Sequence, residues 1–129
     1  MEYLPYIVAA VGVVVVGAHL VPVLVMRRMR GRPMPALDDF LAPEQRQARQ
    51  LLFYFWSPSC GMCRNMTPVI EELRAQRDDI LSVDITEHLE VARRFNVMAT
   101  PTLALVRDGR VAQVLAGAQS RQRILQLLD

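Results

Sequence analysis

The sequence predicts an α/β domain with a mixed central sheet and flanking helices, preceded by one membrane-spanning helix. Three observations carry this expectation. An apolar run lies near the N-terminus, strand-length and helix-period segments alternate after residue 50, and an Asp-Gly pair joins two apolar runs near the end. Once the apolar run is set aside, a chain of 129 residues has room for one domain.

The first element is residues 4–26, LPYIVAAVGVVVVGAHLVPVLVM, which hold no Asp, Glu, Lys or Arg. As a helix these 23 residues span roughly 34 Å, enough to cross a bilayer. The run is too long and too uniformly apolar for a core helix. A cleaved leader is disfavoured because no basic residue precedes the run, no compact apolar centre stands out, and no small-x-small site follows. Pro5 falls near the start, where a missing N–H costs little, and Pro22 bends the last turn. His19 reads as a tolerated polar residue near the interface.

RRMRGR follows directly, with Arg27, Arg28, Arg30 and Arg32, whereas the N-terminal flank of residues 1–3 carries only Glu2. Cytoplasmic flanks are enriched in Lys and Arg, so the N-terminus is expected outside and the C-terminal domain in the cytoplasm, at the inner membrane. These four arginines also account for the net charge of +2: beyond them stand 11 Arg against 12 Asp and Glu. A near-neutral soluble part offers no nucleic-acid surface. Residues 27–37 form a basic, Pro-containing linker, whose GRPMPAL stretch should be extended and should separate the anchor from a domain at 38–129.

Within the domain, residues 38–50 favour a short amphipathic helix interrupted near Pro43. LLFYFW (51–56) is a continuous apolar run of strand length. From Cys60 to about Arg77 a helical pattern places Met62, Met66, Val69, Ile70 and Leu73 on one face, with Pro68 as a kink. ILSVDI (80–85) reads as a second strand, and 87–95 has Leu89, Val91, Ala92 and Phe95 at helical spacing. TLALVRDGRVAQVLAG is a hairpin turning at Asp108-Gly109. Ser120 caps a last helix with Ile124, Leu125, Leu127 and Leu128 as its apolar face. The first strand-helix-strand unit requires a parallel, right-handed crossover, and the hairpin adds antiparallel strands, giving a mixed sheet.

FYFWSPSCGMCRNMTPVIEEL resembles the active-site strand and helix of the thioredoxin family, in which an aromatic pair leads into a Cys-x-x-Cys turn and a proline-kinked helix. The Val-Asp strand end, the Ala-Thr-Pro-Thr stretch (99–102), the Asp-Gly hairpin and the final helix extend the likeness over residues 50–129. The resemblance implies a thioredoxin fold and a protein-disulfide oxidoreductase that needs no cofactor beyond its own Cys60–Cys63 disulfide. It further implies Cys60 as attacking thiol and Cys63 as resolving thiol. Trp56, Gly61 and Met62 are expected to flank the site, with Thr100 and a cis Pro101 beside it. Physical chemistry agrees: at a helix N-terminus the free N–H groups and the macrodipole pull a cysteine below its ordinary pKa of about 8.5. Departures from the family pattern are Tyr54 where a buried Asp is common, Ser59 in place of Trp, and Met62 in place of Pro. Proton handling must therefore differ, and a strongly reducing poise does not follow. No strand precedes residue 50 convincingly, so four strands are expected.

Other roles for the two cysteines weigh less. A four-residue loop restricts little of the unfolded chain, so a structural staple would contribute little. Two thiolates are too few for a closed zinc site, and His19 and His88 lack ligand spacing to them. Cu(I) suits soft sulfurs, with Met62, Met66 and Met98 near the pair, although Met66 belongs to the core face of its helix. The expected activity is thiol–disulfide exchange with disulfide-containing proteins or a membrane redox partner. A periplasm-facing oxidoreductase for cofactor or cytochrome maturation and a Cu(I)-binding module are the alternatives.

Overall fold

The strand LLFYFW sets the architecture because it is buried on both faces. In the computed structural model, which describes residues 1–129, β1 (Gln50–Trp56) has five consecutive buried residues, Leu51 to Phe55. Successive side chains of a strand point to opposite sides. Leu51, Phe53 and Phe55 accordingly enter one core, and Leu52 and Tyr54 enter the other. β1 pairs in parallel with β2 (Ile80–Asp84) and antiparallel with β3 (Thr102–Arg107), which continues through a hairpin into β4 (Arg110–Ala116). The order is β2-β1-β3-β4, a mixed four-stranded sheet as expected. Both turn residues are left-handed, Asp108 at φ 51° and Gly109 at φ 75°, as a two-residue hairpin demands.

Helices cover both faces. α4 (Leu89–Arg94) and the residue after it bring Val91, Ala92 and Phe95 onto Phe53 and Phe55, with the Phe53 and Phe95 rings 4.8 Å apart. On the other face, α3 (Cys63–Arg74) contributes Met66, Ile70 and Leu73, and α5 (Arg121–Leu128) contributes Ile124, Leu127 and Leu128. Ser120 caps α5 by accepting the Arg123 N–H at 3.1 Å.

Two helix starts differ from the sequence reading. α3 begins at Cys63 and not at Cys60, because Ser57 to Ser59 form a turn that Cys60 closes by donating its N–H to the Ser57 carbonyl at 3.1 Å. α2 is only Pro43–Arg46, and Pro43 starts it instead of interrupting it. A proline in the first turn forfeits no helical hydrogen bond.

α1 (Leu4–Arg27) is 24 residues long, with a mean hydropathy of 2.5 over a window that is wholly unburied. By length and composition it can cross a membrane. Its C-terminal end behaves differently, for Met26 and Met29 are 3 % and 4 % exposed, and Met29 enters the core beside α4. The chain then turns through residues 28–31 and continues without helix from Arg32 to Leu37, yet it is no free spacer. Gly31 donates to the Val111 carbonyl at 2.7 Å, Val111 returns a bond to Arg32 at 2.9 Å, and Met34 donates to Gly109 at 2.8 Å. Leu37 and Leu41 join the same core, and the Arg94 guanidinium holds the Ala36 carbonyl at 2.9 Å. The physical reason is the outer edge of β4: its unpaired backbone groups need partners, and residues 31–34 supply them while burying apolar side chains.

Candidate active site

β1 and α3 deliver the two cysteines to one end of the sheet. β1 ends at Trp56, the chain turns through Ser57, Pro58 and Ser59, and α3 starts at Cys63. Cys60 and Cys63 are joined by a disulfide, with Cα atoms 5.3 Å apart. The two sulfurs are unequal. Cys63 is 2 % exposed, whereas Cys60 is half-buried and reachable from solvent. The Cys63 backbone N–H, first of the helix, donates to the Cys60 sulfur at 3.2 Å. A helix-terminal N–H aimed at a sulfur favours its anionic form.

Around the disulfide lies a groove of about 300 Å³ lined by Trp56, Ser57, Pro58, Cys60, Cys63, Arg64, Thr67 and Pro68. Its walls are mostly apolar, and the Trp56 indole N–H is buried there without an acceptor. A larger hollow of about 520 Å³ lies at the far end of α3, but both arginines that line it are already paired, Arg74 with Glu71 and Arg77 with Asp79 at its margin. Size alone does not mark the site. No group of three or more His, Cys, Asp or Glu is placed to hold a metal ion, and Met66 is 3 % exposed within the core.

Of the residues singled out from sequence, Trp56, Cys60 and Cys63 meet around the groove. Gly61 and Met62 form the exposed turn between the cysteines, Met62 being 53 % exposed. Thr100 and Pro101 do not line the groove. The Phe55↔Thr102 register places them just past the same end of the sheet, and their peptide bond is cis. Thr102 steadies that approach by donating its hydroxyl to the Ala99 carbonyl at 2.7 Å.

Thr67 is the site residue that sequence reasoning missed. It stands one helical turn after Cys63 on α3, lines the same groove, and its hydroxyl lies 2.7 Å from the Tyr54 hydroxyl. Tyr54 is fully buried in the core below α3. Burial pushes its phenol pKa up, the Glu71 carboxylate adds to the rise, and the Thr67 hydrogen bond opposes it, so the phenol stays neutral. The signal was present in the spacing, since positions i and i+4 share a helix face.

The thioredoxin family model matches residues 37–129 of this chain. The chain belongs to the thioredoxin family. Thioredoxin from Staphylococcus haemolyticus is 36 % identical over 89 residues, covering 67 % of this chain and 86 % of that protein. Thioredoxin from Bacillus subtilis is 35 % identical over 78 residues, 58 % of this chain and 75 % of its own. Among solved structures, a mutant thioredoxin from Halobacterium salinarum NRC-1 superposes with a TM-score of 0.58 at 29 % identity, over 64 % of this chain and 74 % of that one. Fasciola hepatica thioredoxin gives 0.57 at 26 %, over 66 % and 83 %. This member of the family is a thiol–disulfide oxidoreductase with a thioredoxin fold, and Cys60–Cys63 is its disulfide. Its matched region leaves α1 and the start of the docked segment outside.

Proposed function

We propose that this chain is tethered to the cytoplasmic membrane by α1 and reduces disulfides in partner proteins on the cytoplasmic side, with Cys60 as the attacking and Cys63 as the resolving thiol. The observation that carries the assignment of roles is the asymmetry of the pair: Cys60 is accessible and accepts the helix-start N–H at 3.2 Å, while Cys63 is buried behind it. In the dithiol state the Cys60 thiolate attacks one sulfur of a substrate disulfide, forming a mixed disulfide and expelling the first substrate thiolate, which takes up a proton. Cys63 then loses its proton and attacks the Cys60 sulfur. The bond to the substrate breaks, the second substrate thiol leaves with the electron pair, and the Cys60–Cys63 disulfide remains. Two electrons pass to the substrate, and the chain is left oxidised. Trp56, Gly61, Met62, Thr100 and Pro101 form the surroundings in which the substrate segment would lie.

Membrane tethering is supported by the unburied apolar length of α1 and by the burial of Met26 and Met29 in the domain. Removal of α1 as a leader would take the buried Met26 away from the domain. The four arginines at the junction favour a cytoplasmic domain. Cys63→Ser in the full chain tests the exchange chemistry. Mixed disulfides should accumulate through Cys60 and vanish in Cys60→Ser, whereas an empty trap refutes the reading. Reporter fusions to the C-terminus test the orientation, and a reporter active only outside the cytoplasm would replace it with a periplasm-facing oxidoreductase.

A further inference from the structure

The polar pair next to the cysteines, buried Tyr54 and half-buried Thr67, has no structural necessity. Tyr54 lies in a core whose other members, Leu52, Met66, Ile70, Leu103 and Leu105 among them, are apolar, and a phenylalanine would fill that space without a hydroxyl to satisfy. Its hydroxyl has one partner, the Thr67 hydroxyl at 2.7 Å. Either hydroxyl can donate in this bond, and with Tyr54 as the donor the Thr67 hydroxyl hydrogen is left free. Thr67 lies four residues after Cys63 on α3, and both line the groove beside the disulfide. In the disulfide state Cys63 sulfur is bonded to Cys60 and has no hydrogen bond to Thr67.

We infer that Tyr54 and Thr67 are positioning residues for the resolving step: Tyr54 orients the Thr67 hydroxyl so that it donates a hydrogen bond to the Cys63 sulfur when that thiol ionises within the mixed disulfide. This rests on the role of Cys63 proposed above. The pair remains neutral throughout. Cys63 gives its proton to solvent or to the departing substrate thiolate, its sulfur bonds to Cys60, and the bond from Cys60 to the substrate breaks. The hydroxyls contribute only the donated hydrogen bond, which is worth more to an anionic sulfur than to a neutral one. The charged groups nearby are Arg64 and Glu71 on α3: Arg64 lines the groove, and the charge of Glu71 reaches Tyr54. β1 contributes Tyr54 itself, and β3 and α5 present apolar side chains to this core. Arg64 and Glu71 are untouched in the variants below, so their influence cancels in the comparison.

The test uses the full chain in detergent micelles. In a Cys60→Ser background the ultraviolet absorbance of the Cys63 thiolate is titrated with and without Thr67→Val, Thr67→Ser and Tyr54→Phe. In chains with both cysteines, release of a peptide from its mixed disulfide is followed against pH. Thr67→Val should raise the Cys63 pKa by about one unit and slow release about tenfold at neutral pH, the scale of one hydrogen bond to a charged group. Thr67→Ser should restore both, and Tyr54→Phe should move both in the direction of Thr67→Val. Equal titrations and equal release profiles in all four chains overturn the inference, even where thermal stability falls. If the parent chain releases no peptide, the exchange reading itself fails, and the Cys63 titration still judges the hydroxyl pair.

Discussion

Met29→Ala discriminates between a docked anchor and a free tether. Met29 is 4 % exposed, packs in the core beside α4, and its sulfur lies 3.1 Å from the Asn96 amide nitrogen, which donates to it. Truncating a buried methionine to alanine costs about 2–5 kcal/mol, depending on how far the site can collapse. Here the lower part of that range applies, about 2–3 kcal/mol, because Met29 sits at the margin of the sheet and Asn96 can turn to water. Were residues 27–37 a solvated spacer, the same change would fall within about 0.5 kcal/mol of zero. Urea unfolding of the oxidised full chain in micelles, followed by the fluorescence of its one tryptophan, reads the difference. With a slope of about 1–3 kcal/mol per molar, the midpoint should fall by roughly 1–2 M. Met98→Ala serves as the control, since Met98 is 54 % exposed. Coincident curves for the two variants would refute the docking argument.

Three further outcomes follow from contacts elsewhere. Ser120→Ala removes the oxygen that accepts the Arg123 N–H, and it should lower stability by about 1 kcal/mol in the same unfolding assay, with Ser120→Asp close to the parent chain. Asp79 accepts from the Arg77 guanidinium at 2.9 and 2.8 Å and from Gln50 at 3.3 Å, and the Arg77 hydrogen bonds hold its carboxyl below the usual range. A depressed folded-state pKa stabilises above the unfolded value near 4 and is lost as pH falls through the folded one, so the parent chain should lose urea resistance below about pH 4 more steeply than Asp79→Asn. Arg107→Ala should lower the unfolding midpoint while leaving the rate of disulfide exchange at Cys60 unchanged, because Arg107 holds the Leu127 carbonyl at 2.7 Å at the end of the sheet away from the cysteines.

The sheet and its helices were legible because their signals are local. A doubly buried strand reads as an unbroken apolar run, Asp108-Gly109 fits the left-handed backbone of its turn, and Ser120 stands where a cap belongs. The docked segment was not legible. Met29, Leu37 and Leu41 reach the core from a helix end, an extended stretch and a turn, so no single period links them, and the Pro and Gly between them have the composition of a linker. The start of α3 was misplaced because the turn at Ser57 to Ser59 is fixed by one backbone hydrogen bond from Cys60, which composition does not encode. At the site, the cysteines and Trp56 were evident from their motif. The Tyr54–Thr67 pair was not, for it joins a strand residue to a helix residue and exists only once α3 lies across β1.

The two ends of the sheet carry different work. Where β1 starts and the β3–β4 hairpin turns, polar groups are cross-linked: Gln50 donates to Asp79 at 3.3 Å and to the Leu128 carbonyl at 3.1 Å, and it accepts from Arg107 at 2.9 Å. The hairpin end is also where residues 31–34 pair with Gly109 and Val111. The ends of α5, β1, β3 and the anchor segment are thus fastened together at the end opposite the cysteines. At the cysteine end side-chain bonds between elements are fewer: the Tyr54 and Thr67 hydroxyls meet at 2.7 Å, but the indole N–H of Trp56 is unpartnered and the Ser57 and Ser59 hydroxyls meet only at 3.5 Å. A disulfide that opens and closes needs room for its sulfurs and for an incoming chain, and hydrogen bonds across that end would have to break in each cycle. Concentrating the fastening at the hairpin end secures the fold and its joint to α1 without obstructing Cys60.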